Sequence, residues 1–493
     1  HNALKNNLGL TRVAYSRDFT GEDRTDDPYG HGTHVAATAV GNDKISGESG
    51  DFTGIAPNAS LVSLRVLNAQ GVGNVSSVLR ALDWVMTNGA KYKIKVVNMS
   101  LGAPAVDSYT IDPLCKAVRR LVDAGFVVVA AAGNDGKLST DATGTNFQKT
   151  YGVIHSPGNE PSAITVGASN TFGTDSRADD GVATYSSRGP TRGFWTDADG
   201  VKHYDNLVKP DLVAPGNKLI YAEAANNNLI KNHPSLHVEI GNDKDGRDEL
   251  DKVDERMMYM SGTSVSAPVV AGTAALLLQV NPKLTPNMVK MILMYTAQPL
   301  SGFNMFEQGA GQLNIEGAVK LAQRVRTDLP ASPAVGDSLL STAAPAPNST
   351  IAGFPFVWSQ GITMHHAFVA GAGLVTKYQQ VYGKGFLLGD GIAEAYNSQG
   401  INPALMSDGI LMSDGILMSD GILMSDGLPW SGDPVFCGTG ILMSDGILMS
   451  DGILMSDGIL MSDGILMSDG ILMSDNVRSN SVLADGDDTS CMR

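Results

Sequence analysis

The stretch that decides the fold is "IKVVNMSLGAPAVDSYTIDPLCKAVRRLVDAGFVVVAAAGN", residues 94–134. Its two segments rich in apolar residues, "IKVVNM" and "FVVVAAA", are short, as is typical of buried strands, and each ends in a polar loop. Between them, "LCKAVRRLVDA" has the spacing of an amphipathic helix, with Gly125 just past its end. A strand, a helix and a second strand in this order predict a parallel βαβ unit.

The alternation of predicted strands and helices continues on the C-terminal side of this stretch. "SAITVGAS" (162–169) predicts a further buried strand, and "SVSAPVVAGTAALLLQVNP" (264–282) predicts a long helix that ends before Pro282. We therefore expect an α/β fold, doubly wound, with a mostly parallel sheet and helices on both faces. In such sheets the functional residues gather at the carboxyl ends of the strands.

Composition limits the class of protein and its partners. The chain has 493 residues, of which 43% are apolar and 17% charged, and a formal net charge of −16. This charge argues against a nucleic-acid partner, whose phosphates would repel it, and favours a monomer. No apolar run approaches the roughly 18 residues of a membrane helix, and "HNALKNNLGL" lacks the pattern of a signal peptide. Because the sequence starts without Met, we expect a processed product or a fragment.

The composition changes along the chain and predicts five parts. Residues 1–325 form the main domain, and 326–350, rich in Pro, Ala and Ser, read as a linker. Residues 351–405 form a small β-containing appendage or a packing extension of the main domain. Residues 406–476 carry the repeated hexapeptide "ILMSDG", and 477–493 form a polar tail.

The repeat tract leaves several structures open. Asp-Gly after a short apolar run favours a hairpin turn, so the tract predicts a β-rich stack, either a meander or a solenoid. A disordered low-complexity tail and a cation-binding ladder of Asp residues are the alternatives. The charged segment Asn226 to Arg256 similarly predicts an exposed loop, with a cation-binding loop as the alternative.

Three polar residues sit where catalysis would place them. His31 lies in "HGTH" (31–34), Asn134 ends "AAAGN", and Ser264 opens the long helix in "SGTSVSAP". Each has a structural alternative: zinc binding for the histidines, a turn for Asn134 and a helix cap for Ser264. The metalloprotease spacing is absent, so we assign no metal. Together the three residues suit a base, an oxyanion donor and a nucleophile.

These residues lie in blocks that resemble a known family. "HGTHVA", "NMSLG", "AAGN", "YSSRGP", "KPDLVAPG" and "GTSVSAP" occur in the order typical of the subtilisin-like serine peptidases. The resemblance runs from Tyr29 to Gln323. It implies a subtilisin-like fold and a serine endopeptidase that cleaves proteins or peptides, with His31 as general base and Ser264 as nucleophile. Asn134 and the Ser264 N–H would form the oxyanion hole, and His34 would be structural.

The resemblance also implies substrate contacts and a location. Ser100, Leu101 and Gly102 resemble the strand that pairs with an extended substrate. Ala131, Ala132 and Gly133 resemble a wall of the pocket for the side chain before the cut bond, and His155 aligns near the base of that pocket. No cofactor is required, and structural calcium is left open and unplaced. The implied location is secreted or at the cell surface.

One element of the family pattern is missing. The triad Asp should end an apolar strand upstream of His31, but Asp18, Asp23, Asp26 and Asp27 all lie in the polar stretch "SRDFTGEDRTDDPYG". We expect these residues to hold that loop, and the Asp-bearing strand to have ended just upstream of His1. Such a chain would be poorly active. The alternative function is a non-catalytic subtilisin-like module at the cell surface, with the repeats mediating adhesion or spacing.

Overall fold

The computed structural model describes residues 1–42, 52–139, 147–238, 253–330, 332–388, 436–437 and 476–479. Its α-helices in this part of the chain are α1 His31–Val40, α2 Val75–Asn88, α3 Pro113–Ala124, α4 Asn228–Asn232, α5 Thr263–Val280, α6 Pro286–Tyr295, α7 Met305–Gln308, α8 Ile315–Ala322 and α9 Gly373–Thr376. Short 3₁₀ turns span Asn2–Leu4, Pro234–Leu236 and Gln380–Tyr382.

The strands are mostly short. They are β1 Val13–Asp18, β2 Leu61–Arg65, β3 Val72–Asn74, β4 Val96–Met99, β5 Leu101–Pro104, β6 Val127–Ala131, β7 Lys137–Ser139, β8 Phe147–Lys149, β9 His155–Ser156, β10 Ile164–Asn170, β11 Gly181–Val182, β12 Phe194–Thr196, β13 Lys202–Tyr204, β14 Leu212–Pro215, β15 Leu219–Ala222, β16 His237–Val238, β17 Met257–Met260, β18 Asn348–Ile351, β19 Phe354–Val357, β20 Gly361–Met364, β21 Ala367–Ala370, β22 Phe436–Cys437 and β23 Asn476–Ser479.

The deciding stretch folds as predicted. β4 and β6 run parallel, with Val96 opposite Val127, and α3 connects them. Asp112 caps α3 through its side chain, and Gly125 ends the helix in the left-handed conformation at φ 99°. Glycine adopts this conformation without steric penalty, which explains why the helix stops there.

The central sheet has helices on both faces. β10 pairs in parallel with β6 and with β14, which gives the parallel order β4-β6-β10-β14. Because side chains alternate along a strand, Val127 and Val129 of β6 pack in the core with α5, α6 and α8, whereas Val128 and Ala130 pack in the core with α2 and α3. The α/β, doubly wound fold class is confirmed.

A second, smaller parallel sheet stands apart from the first. β1 pairs with β2, and within the described residues no pairing joins β2 to β4. Every residue of β2 is partly exposed, whereas every residue of β6 and β10 is buried. The parallel strands are thus divided into a buried central sheet and a half-exposed pair.

The described residues after the main domain pack onto it. β18 pairs with β19 and β20 with β21, and Leu339, Trp358, Ile362, Leu374 and Tyr382 belong to the core that α5 and α6 share. This arrangement is the one expected if the segment is a packing extension of the main domain. The boundaries at 325, 350 and 405 remain predictions. The ILMSDG tract lies outside the described residues except for Phe436–Cys437 and Asn476.

The expectation about membrane helices needs correction. Among the described helices, α5 alone is long and apolar enough to cross a membrane. Most of it is buried, and its residues Ala267, Val270 and Ala274 pack against the central sheet. Its apolar composition is that of a core helix surrounded by protein.

Candidate active site

Ser264 is the second residue of α5, at the carboxyl end of the central sheet. The turn before it is fixed because Gly262 donates its N–H to the carbonyl of Gly216, just after β14, at 2.9 Å. Ser264 is fully buried, and its Oγ has no hydrogen-bond partner. A buried hydroxyl without a partner is unfavourable in a purely structural role.

A proline and a serine fix the backbone of Ser264. In an α-helix the carbonyl of residue 264 accepts the N–H of residue 268, but Pro268 has no N–H to give. The Ser100 Oγ replaces it and donates to the Ser264 carbonyl at 2.6 Å. Asn98 in turn donates its Nδ2 to the Ser100 Oγ at 2.9 Å. The loop after β4 is thereby bonded to the turn that carries Ser264.

Asn134 is held against the same turn by its carboxamide oxygen. The Thr263 N–H donates to the Asn134 Oδ1 at 2.9 Å, and the Thr263 Oγ1 lies 3.1 Å from the same atom. None of the hydrogen bonds found among the described residues involves the Asn134 Nδ2. With its oxygen anchored, the amide keeps two N–H donors for another group.

His31 is the first residue of α1, which packs against α5. A Cβ added to Gly272 of α5 would lie 2.9 Å from the carbonyl oxygen of Ala39, so the helices touch closely there. Counting eight residues back from Ala39 along α1 leads to His31, and counting eight back from Gly272 along α5 leads to Ser264. The His31 Nε2 is buried without a partner, and burial lowers the pKa of His31 from 6.5 to about 4.

Asp27 holds the start of α1. Its Oδ1 accepts the Gly30 N–H at 2.8 Å, and its Oδ2 accepts the Thr33 N–H at 2.6 Å. These bonds satisfy first-turn donors that have no partner inside the helix. Gly30 has φ 104°, and a Cβ there would meet Asn227 at 2.8 Å. Asp27 and Gly30 therefore fix where His31 lies.

The other upstream carboxylates have different partners. Asp18 accepts the Thr20 Oγ1 at 2.7 Å and forms a salt bridge with Arg65 at 3.0 Å. Burial opposes ionisation of Asp18, but the bonds from Thr20 and Arg65 hold its pKa at about 2. Asp26 pairs with Arg24, and Asp23 is exposed. Within the described residues, no carboxylate forms an ion pair or hydrogen bond with His31.

His34 lies in the interior on the same helix. Its Nε2 donates to the Leu219 carbonyl at 3.1 Å, and its ring meets Tyr221 edge-on at 5.7 Å between centroids. Burial lowers its pKa to about 3, against the opposing effect of the Leu219 carbonyl. These contacts are those of a packed core histidine.

The predicted substrate residues lie on connected segments of the chain. Ser100 leads into β5, which holds Leu101 and Gly102, and β5 pairs on one edge with β9. Ala131 is the last residue of β6, and Ala132 and Gly133 follow it. The His155 N–H donates to the Ala132 carbonyl at 2.9 Å.

His155 lies directly against Gly133. Gly133 has φ 110°, and a Cβ there would lie 2.7 Å from the His155 Cδ2 and the Ser187 Oγ. The His155 Nε2 is 2.6 Å from the Asp135 Oδ2. Imidazole therefore fills the space beside this glycine.

The sequence did not indicate the roles of Thr263 and Pro268, and it predicted that Asp27 holds the polar loop but not that it holds the start of α1. Each carried a signal: Thr263 precedes the serine in "GTSVSAP", Asp27 lies three residues before Gly30, and Pro268 comes four residues after Ser264. As for metals, no group of three or more His, Cys, Asp or Glu side chains with the proximity of a metal site occurs among the described residues.

The family model and the curated relatives that match this chain agree on one family. The model of the subtilase family (peptidase S8) matches residues 1–318. Serine protease AprX of Bacillus subtilis (strain 168) is 35% identical over 298 residues, which are 59% of this chain and 58% of that protein. Subtilisin DY of Bacillus licheniformis is 31% identical over 301 residues, covering 61% and 81% of the two chains. The solved structure of Sphericase is 24% identical, with a TM-score of 0.43 and coverage of 61% and 83%.

Proposed function

Because the chain belongs to the subtilase family of serine proteases, we propose that it hydrolyses peptide bonds in proteins or peptides with Ser264, His31 and Asn134. One observation carries this proposal. The Asn134 amide is anchored by its oxygen beside Ser264, while the Ser264 Oγ and the His31 Nε2 are buried and unpaired. Unsatisfied buried groups of these types suit a site that receives its partners from a substrate.

The chemistry follows the geometry. The Ser264 Oγ attacks the carbonyl carbon of the substrate, and its proton passes to the His31 Nε2. The negative oxygen of the tetrahedral intermediate receives hydrogen bonds from the Asn134 Nδ2 and the Ser264 N–H. As the C–N bond breaks, His31 returns the proton to the leaving amine. Water then attacks the acyl-enzyme by the same route, releasing the acid and restoring the Ser264 hydroxyl.

The state of His31 sets the expected rate. Among the described residues no carboxylate fixes its tautomer or stabilises its charged form. In subtilisin itself, a member of this family, loss of the triad Asp lowers turnover on the order of 10⁴-fold. We therefore expect this chain to react slowly.

Fluorophosphonate labelling tests the nucleophile without requiring fast turnover. We expect labelling of the chain as given and of Ser266→Ala, and none of Ser264→Ala. Ser266 is the matched control, because it is equally buried on the same helix. If neither the unaltered chain nor Ser266→Ala labels while both are folded, the non-catalytic binding module becomes the better proposal.

The proposal extends to specificity. His155 beside Gly133 narrows the pocket for the residue before the cut bond. His155→Gly should therefore increase cleavage after large apolar residues in a peptide library relative to small ones. An unchanged profile would show that His155 does not line this pocket.

We further propose that the protein acts as a monomer and outside the cytoplasm, secreted or at the cell surface. The family resemblance supports this location, and the acidic net charge supports the monomer. Fractionation of producing cells from their medium tests the location.

A further inference from the structure

The space between β3 and β5, called the groove below, already holds a strand of the same chain, and its β5 side is the edge predicted to pair with substrate. β23, Asn476–Ser479, lies antiparallel between β3 and β5 and completes a sheet in the order β3-β23-β5-β9. On one side Asn476, Val477 and Arg478 pair with Asn74, Gly73 and Val72. On the other side Arg478 and Ser479 pair with Gly102 and Leu101. The strand thus adds to the edge of β5 that the sequence assigned to an extended peptide.

β23 runs towards Ser264, the proposed nucleophile. Arg478 lies opposite Gly102 and Ser479 opposite Leu101, so the strand advances towards Ser100. The Ser100 Oγ donates to the Ser264 carbonyl at 2.6 Å. A peptide that runs in this direction approaches the Ser264 turn with its carboxyl end, as the acyl part of a substrate must.

Close packing holds the opposite wall of the groove in place. A Cβ on Gly73 would lie 2.1 Å from the Val66 carbonyl oxygen. A Cβ on Gly71 would lie 2.4 Å from the Tyr29 Cε1. β3 is therefore packed closely against Val66 and Tyr29, and β23 lies between it and β5.

We propose that residues 476–479 are an intramolecular ligand of this groove and compete there with peptide substrates. The inference rests on the proposed function for the identity of the groove, and it adds a regulator of that site. A ligand tethered in the same chain acts at an effective concentration that the length of the connecting segment sets. A peptide added from solution then sees only the fraction of molecules whose groove is open.

A peptide-binding experiment tests this without any catalysis. The probe is a fluorescent peptide with the sequence of residues 474–481, "SDNVRSNS", and the protein carries Ser264→Ala so that nothing is cut. Arg478→Pro removes the N–H of a residue that pairs with both neighbouring strands, whereas Arg478→Ala keeps it. We expect the Pro variant to bind the peptide at least about tenfold more tightly than the Ala variant, as measured by anisotropy. Equal affinities, or no binding to either, would overturn the inference.

Labelling with Ser264 intact separates this inference from the proposed function. We expect Arg478→Pro to react with a fluorophosphonate several-fold faster than Arg478→Ala. If both label at one rate, the segment does not compete, and the enzyme proposal stands without it. If neither labels, the enzyme proposal fails, and the binding experiment still decides the occupancy of the groove. A Ser264-dependent cut shortly after Ser479 supports the inference, because a segment bound in this direction is presented to the hydroxyl.

Discussion

At the amino ends of β10 and β14, Lys209, Asp211 and Lys290 form a buried ion cluster, whereas at the carboxyl ends of the same sheet Ser264 and His31 are buried with unpaired atoms. The Asp211 Oδ2 lies 2.8 Å from the Lys209 Nζ, and its Oδ1 lies 2.9 Å from the Lys290 Nζ. Both ammonium groups also donate to the Ala163 carbonyl. Both ends of the sheet bury polar side chains. At the amino end the charged groups of Lys209, Asp211 and Lys290 all have partners, whereas at the carboxyl end the Ser264 Oγ and the His31 Nε2 have none.

This difference suits a structural role for the ion cluster and a chemical role for the candidate site. A buried polar group without a partner destabilises a fold by roughly 1–3 kcal/mol. His34 and Ser169 also carry such atoms, so the unpaired atoms of Ser264 and His31 point to a reaction only together with the Asn134 amide beside Ser264. At the paired end, burial alone would raise the pKa of Asp211, but Lys209 and Lys290 hold it below its ordinary value. Burial lowers the pKa of Lys290 to about 7, with Asp211 acting in the opposite direction.

Asp211→Asn breaks the paired end and should have the largest effect. The substitution leaves two ammonium groups buried without their counter-charge, so we expect the free energy of unfolding to fall by about 3–5 kcal/mol. Urea denaturation measures it. Asp328→Asn is the control, because that carboxylate is exposed and pairs with Arg326 at the surface. A loss for Asp211→Asn below about 1 kcal/mol would place the cluster with surface ion pairs.

Asn134→Ala tests the unpaired end through its donor. Loss of such a donor lowers turnover by about 10²–10³-fold, a value measured in subtilisin itself, and we expect a decrease of that order in peptide hydrolysis. Asn134→Asp keeps the acceptor for the Thr263 N–H but removes the amide donors, so it should be at least as slow. Full activity in Asn134→Asp would show that anchoring, and not donation, is what the reaction needs.

The pH dependence of labelling sharpens the comparison by reporting on His31. Only a neutral imidazole accepts the Ser264 proton, and burial lowers the pKa of His31 from 6.5 to about 4. The neutral form therefore persists as pH falls, and labelling should stay constant to about pH 5 and decline only near pH 4. Labelling rates at each pH, with circular dichroism to confirm folding, measure this. A decline near pH 6.5 or above would mean that a carboxylate stabilises the imidazolium.

Ser100→Ala should have the smallest effect of these changes, because it removes one hydrogen bond, the one to the Ser264 carbonyl. The Ser264 carbonyl would lose its donor, since Pro268 offers none, and the free energy of unfolding should fall by about 1–3 kcal/mol. Thermal unfolding compared with that of Ser76→Ala, an exposed serine on α2, measures the loss. A stability equal to that control would mean that the carbonyl finds another donor.

Local sequence predicted the central sheet well. The apolar runs before Ser100 and Asn134 became β4 and β6, the helix between them ended at Gly125, and the helix of Ser264 ended before Pro282. These features depend on periodicity and on single residues such as glycine and proline, which the sequence displays directly. The location of the candidate site at the carboxyl ends of the strands followed from the same pattern.

Other features depend on contacts between distant parts of the chain. The pairing of β23 with β3 and β5, the donation from Ser100 to Ser264 and the core packing of Trp358 have no local signature. An edge of a strand accepts any extended backbone, so composition does not reveal which segment fills it. The bonds from Asp27 to Gly30 and Thr33 are local, but four carboxylates precede His31 in one polar stretch, so the sequence did not single out which of them holds α1.

The bond from Ser100 to the Ser264 carbonyl also restricts the order in which a lineage could change these residues. Replacing Pro268 first by a residue with an N–H supplies the carbonyl with a second donor, and a carbonyl oxygen accepts two. Ser100 then becomes dispensable to that carbonyl and is free to drift. Replacing Ser100 first leaves a buried carbonyl with no donor at the turn of the nucleophile. Descendants that have lost Ser100 but kept Pro268 should therefore be rarer than those with the opposite pairing.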